Sequence, residues 1–487
     1  MKRIYIIYTF VSVLAILYTV LTLHNVMPWV DEVMILDAPA QFFLHGKWEG
    51  TAYWGTPSLY VPLYGIIQVL WYKLFGFSFY SGRLLNILLF FCTGFLLILF
   101  AKKITKQTPS KYAIIIYSLF LWFLADLAAL YRDGRPDILC ALISTIINIK
   151  GYDYIMYEDE KPYWIIVFGC FLFMSGLQAC VFILATGVYL LFSYWSKRMR
   201  TIRAILFFLL GCCIGLILTS VFMKITGVFN AFVINTLHES TTLWKLFLLV
   251  VPLFSAKNYG NLENVDIKFT EKLSESIDNS FFLVLMSGLL FIVIFNRLFK
   301  QKKFLLFSLF PLYVLIIMNL AGRYYSHYNW MIFIPMLFCY LIFDYLYVRK
   351  VVKIVPLVVL VFVLFGSISS FGKVDDCGYK EMTNFIYRQS FVKTDRIALP
   401  NACFYEIKPV VENCFFPEIC PVDKIHRLDY LVMPIHEDKS DKLMNYYSNA
   451  SGMNVLYKKL LQDKSIQVIP VDTCQYPFLI VYKIKRL

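Results

Sequence analysis

Ionisable side chains that sit beside long apolar runs are few in this 487-residue chain, and they gather. Asp31 and Glu32 follow the first apolar run, and Arg83 stands just ahead of the second. Arg132, Asp133, Arg135 and Asp137 join the third run to the fourth, and Arg323, Tyr325 and His327 join two late ones. At mid-depth in a bilayer an ionisable group costs ~2.5–3.5 kcal/mol on insertion scales, so groups near the membrane tend to be there for a reason. Acids beside arginines suit transfer of a group from a phosphate to a hydroxyl. A well-placed carboxylate that takes the acceptor's proton is worth about 10²–10⁴-fold in rate. Planar guanidinium forks clamp the departing phosphate, a role open to Arg135, while Asp137 could position the sugar or hold Arg135.

Each position also has a plainer reading. Asp31-Glu32 in a WVDE run could mark the interface and cap the next helix. Arg135-Pro136-Asp137 is ordinary chemistry for a helix start, with proline at the opening and an acid in the first turn; Arg132 and Asp133 read as a solvated pair. Arg323 and His327, four apart, could share a helical face, while the tyrosines around them fit an aromatic belt. Arg83 is either a phosphate contact or a snorkelling residue at a helix end. His238-Glu239 lacks metal-ligand spacing and reads as a solvated loop.

The elements that must position these residues are membrane helices. The chain is 59% hydrophobic and 16% charged, with a mean hydropathy of +0.65, against roughly 25% charged in a soluble domain. Runs of spanning length, ~20 residues each, fall near 4–24, 84–101, 112–130, 138–155, 204–225, 281–296, 304–321, 329–348 and 351–371. Residues 162–195 form a hairpin turning near 176–178, which brings the count to about eleven spans. Residues 59–75 are expected to pack along or into the membrane surface. The net charge of +14 is carried by short basic clusters between the runs, such as Lys102-Lys103, Lys197-Arg198 and Arg349-Lys350. With the N-terminus in the cytoplasm every cluster falls on the cytoplasmic side, so the charge reads as membrane anchoring and nucleic acid is not a partner. Segments 25–83, 131–137 and 322–328 then lie outside, and the acids and bases converge at one membrane–water boundary. That suits a substrate with a phosphate head and an apolar tail. A loop at 226–280 is also expected outside.

Beyond Gly372 the composition turns polar. Leu431-Val432-Met433 and Phe478–Tyr482 read as strands, so residues 372–487 are expected to form a small extracytoplasmic α/β domain after a transmembrane domain of residues 1–371. Cys377, Cys403, Cys414, Cys420 and Cys474 lie in it, where one or two disulfides are permitted. No C-x-x-C pair or Gly-rich phosphate loop is present, which argues against a zinc site and an ATP-driven machine.

The order of these residues resembles the GT-C membrane glycosyltransferases, in the branch of protein O-mannosyltransferases and the lipid A aminoarabinose transferase. The resemblance runs through Asp31-Glu32, Ala40, Leu44–Trp48, Pro57, Pro62, Leu74-Phe75-Gly76, Arg83-Leu84 and Asn86. It continues in Gly134-Arg135-Pro136-Asp137 and in Gly322–Tyr325 with His327-Tyr328 and Pro335, covering roughly residues 25–345. It implies an all-α polytopic fold, a polyprenyl-phosphate sugar donor, and an inverting single displacement on the outer face onto a glycan, lipid or protein acceptor. Asp31 falls at the catalytic centre, with Glu32 beside it. Arg83, Asp137, Arg323 and His327 fall at donor-phosphate or substrate contacts; Arg135, whose fork could clamp a phosphate, and Tyr325, which could line a sugar or polyprenyl groove, are substrate-binding candidates from their own chemistry. Gly55-Thr56 precede Pro57 where some members carry an acid, so dependence on a divalent metal stays open and no other cofactor is implied. A bacterial inner membrane fits the short outer loops. The other readings are a flippase for a lipid-linked saccharide and an O-antigen-type polymerase. The first predicts mid-membrane charges and inverted repeats; the second does not predict the acid pair.

Overall fold

A computed structural model of the chain describes residues 2–25, 30–50, 61–157, 160–176, 197–230, 330–346, 378–416, 427–434, 450–474 and 479–487, with single positions at 28 and within 179–191. The runs expected at 281–296, 304–321 and 351–371 lie outside the described residues, as do residues 231–280, Arg323, Tyr325 and His327.

Among the described residues, four helices are long and apolar enough to cross a membrane. They are α1 (Lys2–Thr22), α4 (Phe79–Thr105), α7 (Asp137–Met156) and α9 (Arg198–Ile225). Helices α1 and α9 leave Ile6, Phe10, Leu206, Leu210 and Ile217 exposed, as side chains facing lipid should be, since hydrocarbon solvates them as well as a protein core does. The chain is an integral membrane protein. Shorter apolar helices complete the described bundle: α5 (Lys111–Phe123), α8 (Tyr163–Ser175) and α10 (Trp330–Leu346). Helices α8 and α9 meet backbone to backbone, since a Cβ on Gly211 would lie 2.3 Å from the Ile166 carbonyl oxygen. Glycines four apart, Gly211 and Gly215, make that approach possible.

The run at 112–130 is divided. Leu124 adopts an extended backbone (φ −73°, ψ 119°), which ends α5 and starts a short α6 (Ala125–Arg132) in a new direction. The stretch after the first span is also helical, as α2 (Val30–His45), and the segment expected along the surface forms α3 (Pro62–Phe75). Proline at the first turn of α3 and Gly76 at its end, with φ of 74°, set its limits. A reciprocal capping box between Ser78 and Ser81 starts α4. These caps fix where Arg83 sits, one turn inside α4.

The C-terminal region is an α/β unit. It contains α11 (Tyr379–Tyr387), β1 (Arg396–Ala398), a single turn α12 (Phe404–Ile407), β2 (Asn413–Phe415), β3 (Tyr430–Pro434), α13 (Ala450–Gln462), β4 (Ile466–Cys474) and β5 (Leu479–Arg486). The sheet order is β2-β1-β3-β5-β4, parallel through its first three strands and antiparallel thereafter. Its register places Val432 opposite Val481, and both side chains are fully buried. Cys403, Cys414 and Cys474 are not bridged to one another; Cys377 and Cys420, the other cysteines of the expected one or two bridges, lie outside the described residues.

Candidate active site at the head of helix α2

Glu32 lies in the first turn of α2 and is fully buried. A buried carboxylate must be paired and hydrogen-bonded to be tolerated, and three donors meet it. Arg83 of α4 donates from Nε to Oε1 at 2.8 Å and from the terminal NH2 nitrogen to Oε2 at 2.6 Å. Tyr405, in α12 of the C-terminal unit, donates its hydroxyl to Oε1 at 2.8 Å. The guanidinium is itself fully enclosed and lies 4.3 Å from the centre of the Phe79 ring, an arrangement that adds a cation–π attraction. Burial first, and then the neighbouring Glu32 carboxylate, push the Tyr405 phenol well above its ordinary pKa. It therefore meets Glu32 as a neutral donor.

Two glycines make room for this cluster. A Cβ on Gly82 would lie 2.6 Å from the Tyr405 hydroxyl. One on Gly134 would lie 3.0 Å from Glu32 Oε1 and 2.6 Å from a methyl of Leu36. The loop at 133–136 therefore lies directly on the head of α2. Asn86, one turn below Arg83, holds that loop by donating to the carbonyl oxygens of Asp133 (2.5 Å) and Arg135 (2.8 Å). Asn86 in turn accepts from Tyr64 at 2.9 Å, and Gln68 donates to the Tyr64 hydroxyl at 2.8 Å, so α3 is part of the same framework. In the loop, Arg135 Nε pairs with Asp137 Oδ2 at 2.9 Å. Asp133 is buried, and its carboxyl is pushed up to about 7. Burial is the largest cause and the Glu32 charge adds to it, against the opposing pull of Arg83, Arg135 and Arg132.

A second buried pair lies further along α2. Asp37 meets Lys408 at 2.7 Å, with 2% and 0% of their side chains exposed. The backbone carbonyl of Lys408 lies 3.3 Å from His45 Nε2, and Lys47 reaches Glu412 at 2.5 Å. The segment 405–412 thus follows α2 from its first turn to beyond its end.

The structure brings Glu32, Arg83, Arg135 and Asp137 into one neighbourhood. Asp31 lies in the first turn of α2, and its side chain lies outside the described residues. Arg83, read from the sequence as a phosphate contact or a snorkelling residue, has an anionic partner inside the protein. Asp37, Tyr405 and Lys408 were not singled out from the sequence. A signal existed for Asp37, an acid inside the apolar stretch Met34–Phe43, which has to find a partner once its helix packs. Among the described residues no group of three His, Cys, Asp or Glu side chains is placed to hold a metal ion. Between α4, α7 and α10 lies a narrow, mostly apolar cleft lined by Leu97, Phe100, Ser144, Thr145, Trp330 and Phe338, among others.

No family model matches the chain, and no curated protein matches it in sequence. Solved structures do match in fold. ArnT from Cupriavidus metallidurans bound to undecaprenyl phosphate superposes with a TM-score of 0.51 at 14% identity, over 97% of each chain. The oligosaccharyltransferase of Archaeoglobus fulgidus, in complex with Zn and sulfate, superposes with a TM-score of 0.53 at 11% identity, over 92% of this chain and 70% of its own. The chain has the fold of GT-C membrane glycosyltransferases.

Proposed function

We propose that this GT-C-fold protein is a glycosyltransferase that moves a sugar from a polyprenyl-phosphate donor to an acceptor hydroxyl at the extracytoplasmic membrane face, with inversion and with Asp31 as the general base. The observation that carries the reading is the occupancy of Glu32. Both of its oxygens are engaged, by Arg83 and Tyr405, so of the acid pair at the head of α2 it is Asp31 that takes the proton. Glu32 holds the helix and Asp31 does the chemistry.

The other residues follow from position. Arg135, steered by Asp137 and carried by the loop that lies on the head of α2, meets the donor phosphate, joined by Arg323, His327 and Tyr325. Fixed positive charge aimed at a phosphate that gains charge as the sugar leaves is the large electrostatic contribution to such a transfer. The cleft between α4, α7 and α10 takes part of the isoprenoid chain. The donor class is supported by the neighbours' fold and by the pairing of a charged site with an apolar cleft. For sidedness, the support is the positive-inside clusters together with the docking of the C-terminal unit on the head of α2. The N-terminus is then cytoplasmic, and a bacterial inner membrane is the setting.

Purified protein in detergent, given a panel of radiolabelled polyprenyl-phosphate sugars and a crude membrane acceptor, tests this. Wild type should consume one donor, and Asp31→Asn should lose about 10²–10⁴-fold in turnover. Equal turnover by Asp31→Asn would remove it from the mechanism.

A further inference from the structure

The C-terminal unit touches α2 at two buried points that differ in direction. Glu32 and Asp37 are five residues apart, which on an α-helix is a rise of about 7.5 Å and a rotation of about 140°. Tyr405 holds the first point and Lys408 the second. Two anchors at different heights and on different sides leave a helix free neither to slide nor to turn about its axis. Asp31 precedes Glu32 in the same turn, so its placement follows from theirs.

The two anchors come from one short rigid piece. Tyr405 and Lys408 are three apart, in and just after the single turn α12, and both are buried. The Tyr405 ring stacks on Phe77 (centroids 5.5 Å apart, planes at 27°) and meets Phe79 edge-on (5.6 Å, 85°). The phenol is therefore locked by aromatic rings just before and at the start of α4 while its hydroxyl reaches across to α2. Nothing in the exchange of a sugar for a proton requires a group from this unit. Its buried polar contacts with α2 therefore need another reason.

We propose that Tyr405 and Lys408 of the C-terminal unit are positioning residues for the transfer, clamping helix α2 through Glu32 and Asp37 so that the acid at its head is held in register with the substrates. This rests on the reading of Asp31 as the base. Neither residue touches substrate; both act through α2. Misplacing a reacting group by about 1 Å costs on the order of a hundredfold in rate, so loosening the clamp should lower kcat and leave recognition of the donor alone.

The test uses full-length protein in detergent and four variants beside wild type and Asp31→Asn: Tyr405→Phe, Lys408→Met, Lys408→Arg and the double variant Asp37→Asn/Lys408→Met. Two measurements are made. Hydrogen–deuterium exchange of peptides covering residues 30–45 reads the clamp without needing turnover. Steady-state transfer of the donor found in the sugar panel, normalised to folded protein, reads its consequence. Tyr405→Phe and Lys408→Met should speed exchange in α2 while leaving α4 unchanged. They should also lower kcat by about tenfold to a hundredfold, with the donor KM within about twofold of wild type. Lys408→Arg, which keeps the charge, should recover most of the rate. The double variant, which removes both buried charges, guards against misfolding of Lys408→Met, in which Asp37 loses its lysine partner; it should fold and still show the kcat loss. Unchanged exchange in both Tyr405→Phe and the double variant overturns the clamp. Faster exchange with wild-type kcat overturns the positioning role. Wild-type turnover by Asp31→Asn overturns the reading of the base instead, and the exchange data still decide the clamp.

Discussion

The pair of Glu32 and Arg83 invites a direct energetic test. Arg83→Met keeps a side chain of similar reach and removes both guanidinium bonds, 2.6 and 2.8 Å long, from a carboxylate with no exposed surface. Only the Tyr405 hydroxyl remains to it among the three donors. Breaking a buried ion pair from one side typically costs about 3–5 kcal/mol, because the remaining charge is left without its counter-charge. One neutral donor stays, and the Phe79 ring that faced the cation tolerates a thioether, so the lower part of that range, about 3 kcal/mol, is expected. Removing both charges in Glu32→Gln/Arg83→Met should cost less than the single Arg83→Met change, since the amide still accepts from Tyr405 and no charge is stranded. Equilibrium unfolding of the four proteins in mixed micelles closes a double-mutant cycle, with an expected coupling of about 2–3 kcal/mol. If Arg83→Met costs under about 1 kcal/mol, or if the double variant costs the sum of the singles, Glu32 is not the sealed anchor described here.

Two further outcomes follow from the same neighbourhood. Gly82→Ala places a Cβ 2.6 Å from the Tyr405 hydroxyl, and the tyrosine cannot retreat through Phe77 and Phe79. A loss of about 1–3 kcal/mol is expected from this overpacking, and it should shrink when the same change is made in Tyr405→Phe; equal losses in both backgrounds would contradict it. Asp133 supplies a pH dependence. Its folded pKa of about 7 stands above the ordinary 3.8, so the native state holds the proton more tightly and loses stability as pH rises between those values. The stability of wild type minus that of Asp133→Asn, from denaturant midpoints across that range, should therefore fall with rising pH; a rise would refute the assignment.

Hydropathy made much of the membrane framework legible. The runs read at 138–155 and 329–348 are helices Asp137–Met156 and Trp330–Leu346 within a residue or two at each end. The strands read at 431–433 and 478–482 appear as β3 and β5. Helix α2 was not legible, because Asp31, Glu32, Asp37 and Pro39 interrupt the apolar pattern that marks a buried helix. Those acids are neutralised by partners far away in the chain, and a periodicity argument sees only neighbours. Glu32 and Tyr405 are 373 residues apart. The break at Leu124 was equally invisible, since it changes no side-chain polarity. At the site, position marks Glu32, Arg83, Arg135 and Asp137 and allows Asp137 to hold Arg135, as it does, but it does not pair Glu32 with Arg83, because a buried arginine and a phosphate-binding arginine have the same sequence signature.

Why α2 should be held by charges at all is the remaining question, since well-packed apolar side chains of similar volume often stabilise a fold as well as a buried ion pair or better. The difference lies in what each tolerates. Apolar packing is non-directional, and a helix seated on it can turn by several degrees at little cost. The Arg83 fork meets both oxygens of Glu32 in one plane, and Tyr405 adds a third direction at Oε1. Any rotation of α2 lengthens at least one of these three bonds in a medium where an imperfectly paired charge is expensive. On the proposed reading of Asp31 as the base, whose carboxylate would have to meet an acceptor hydroxyl within a few tenths of an ångström, that stiffness would serve the rate of transfer more than the stability of the fold.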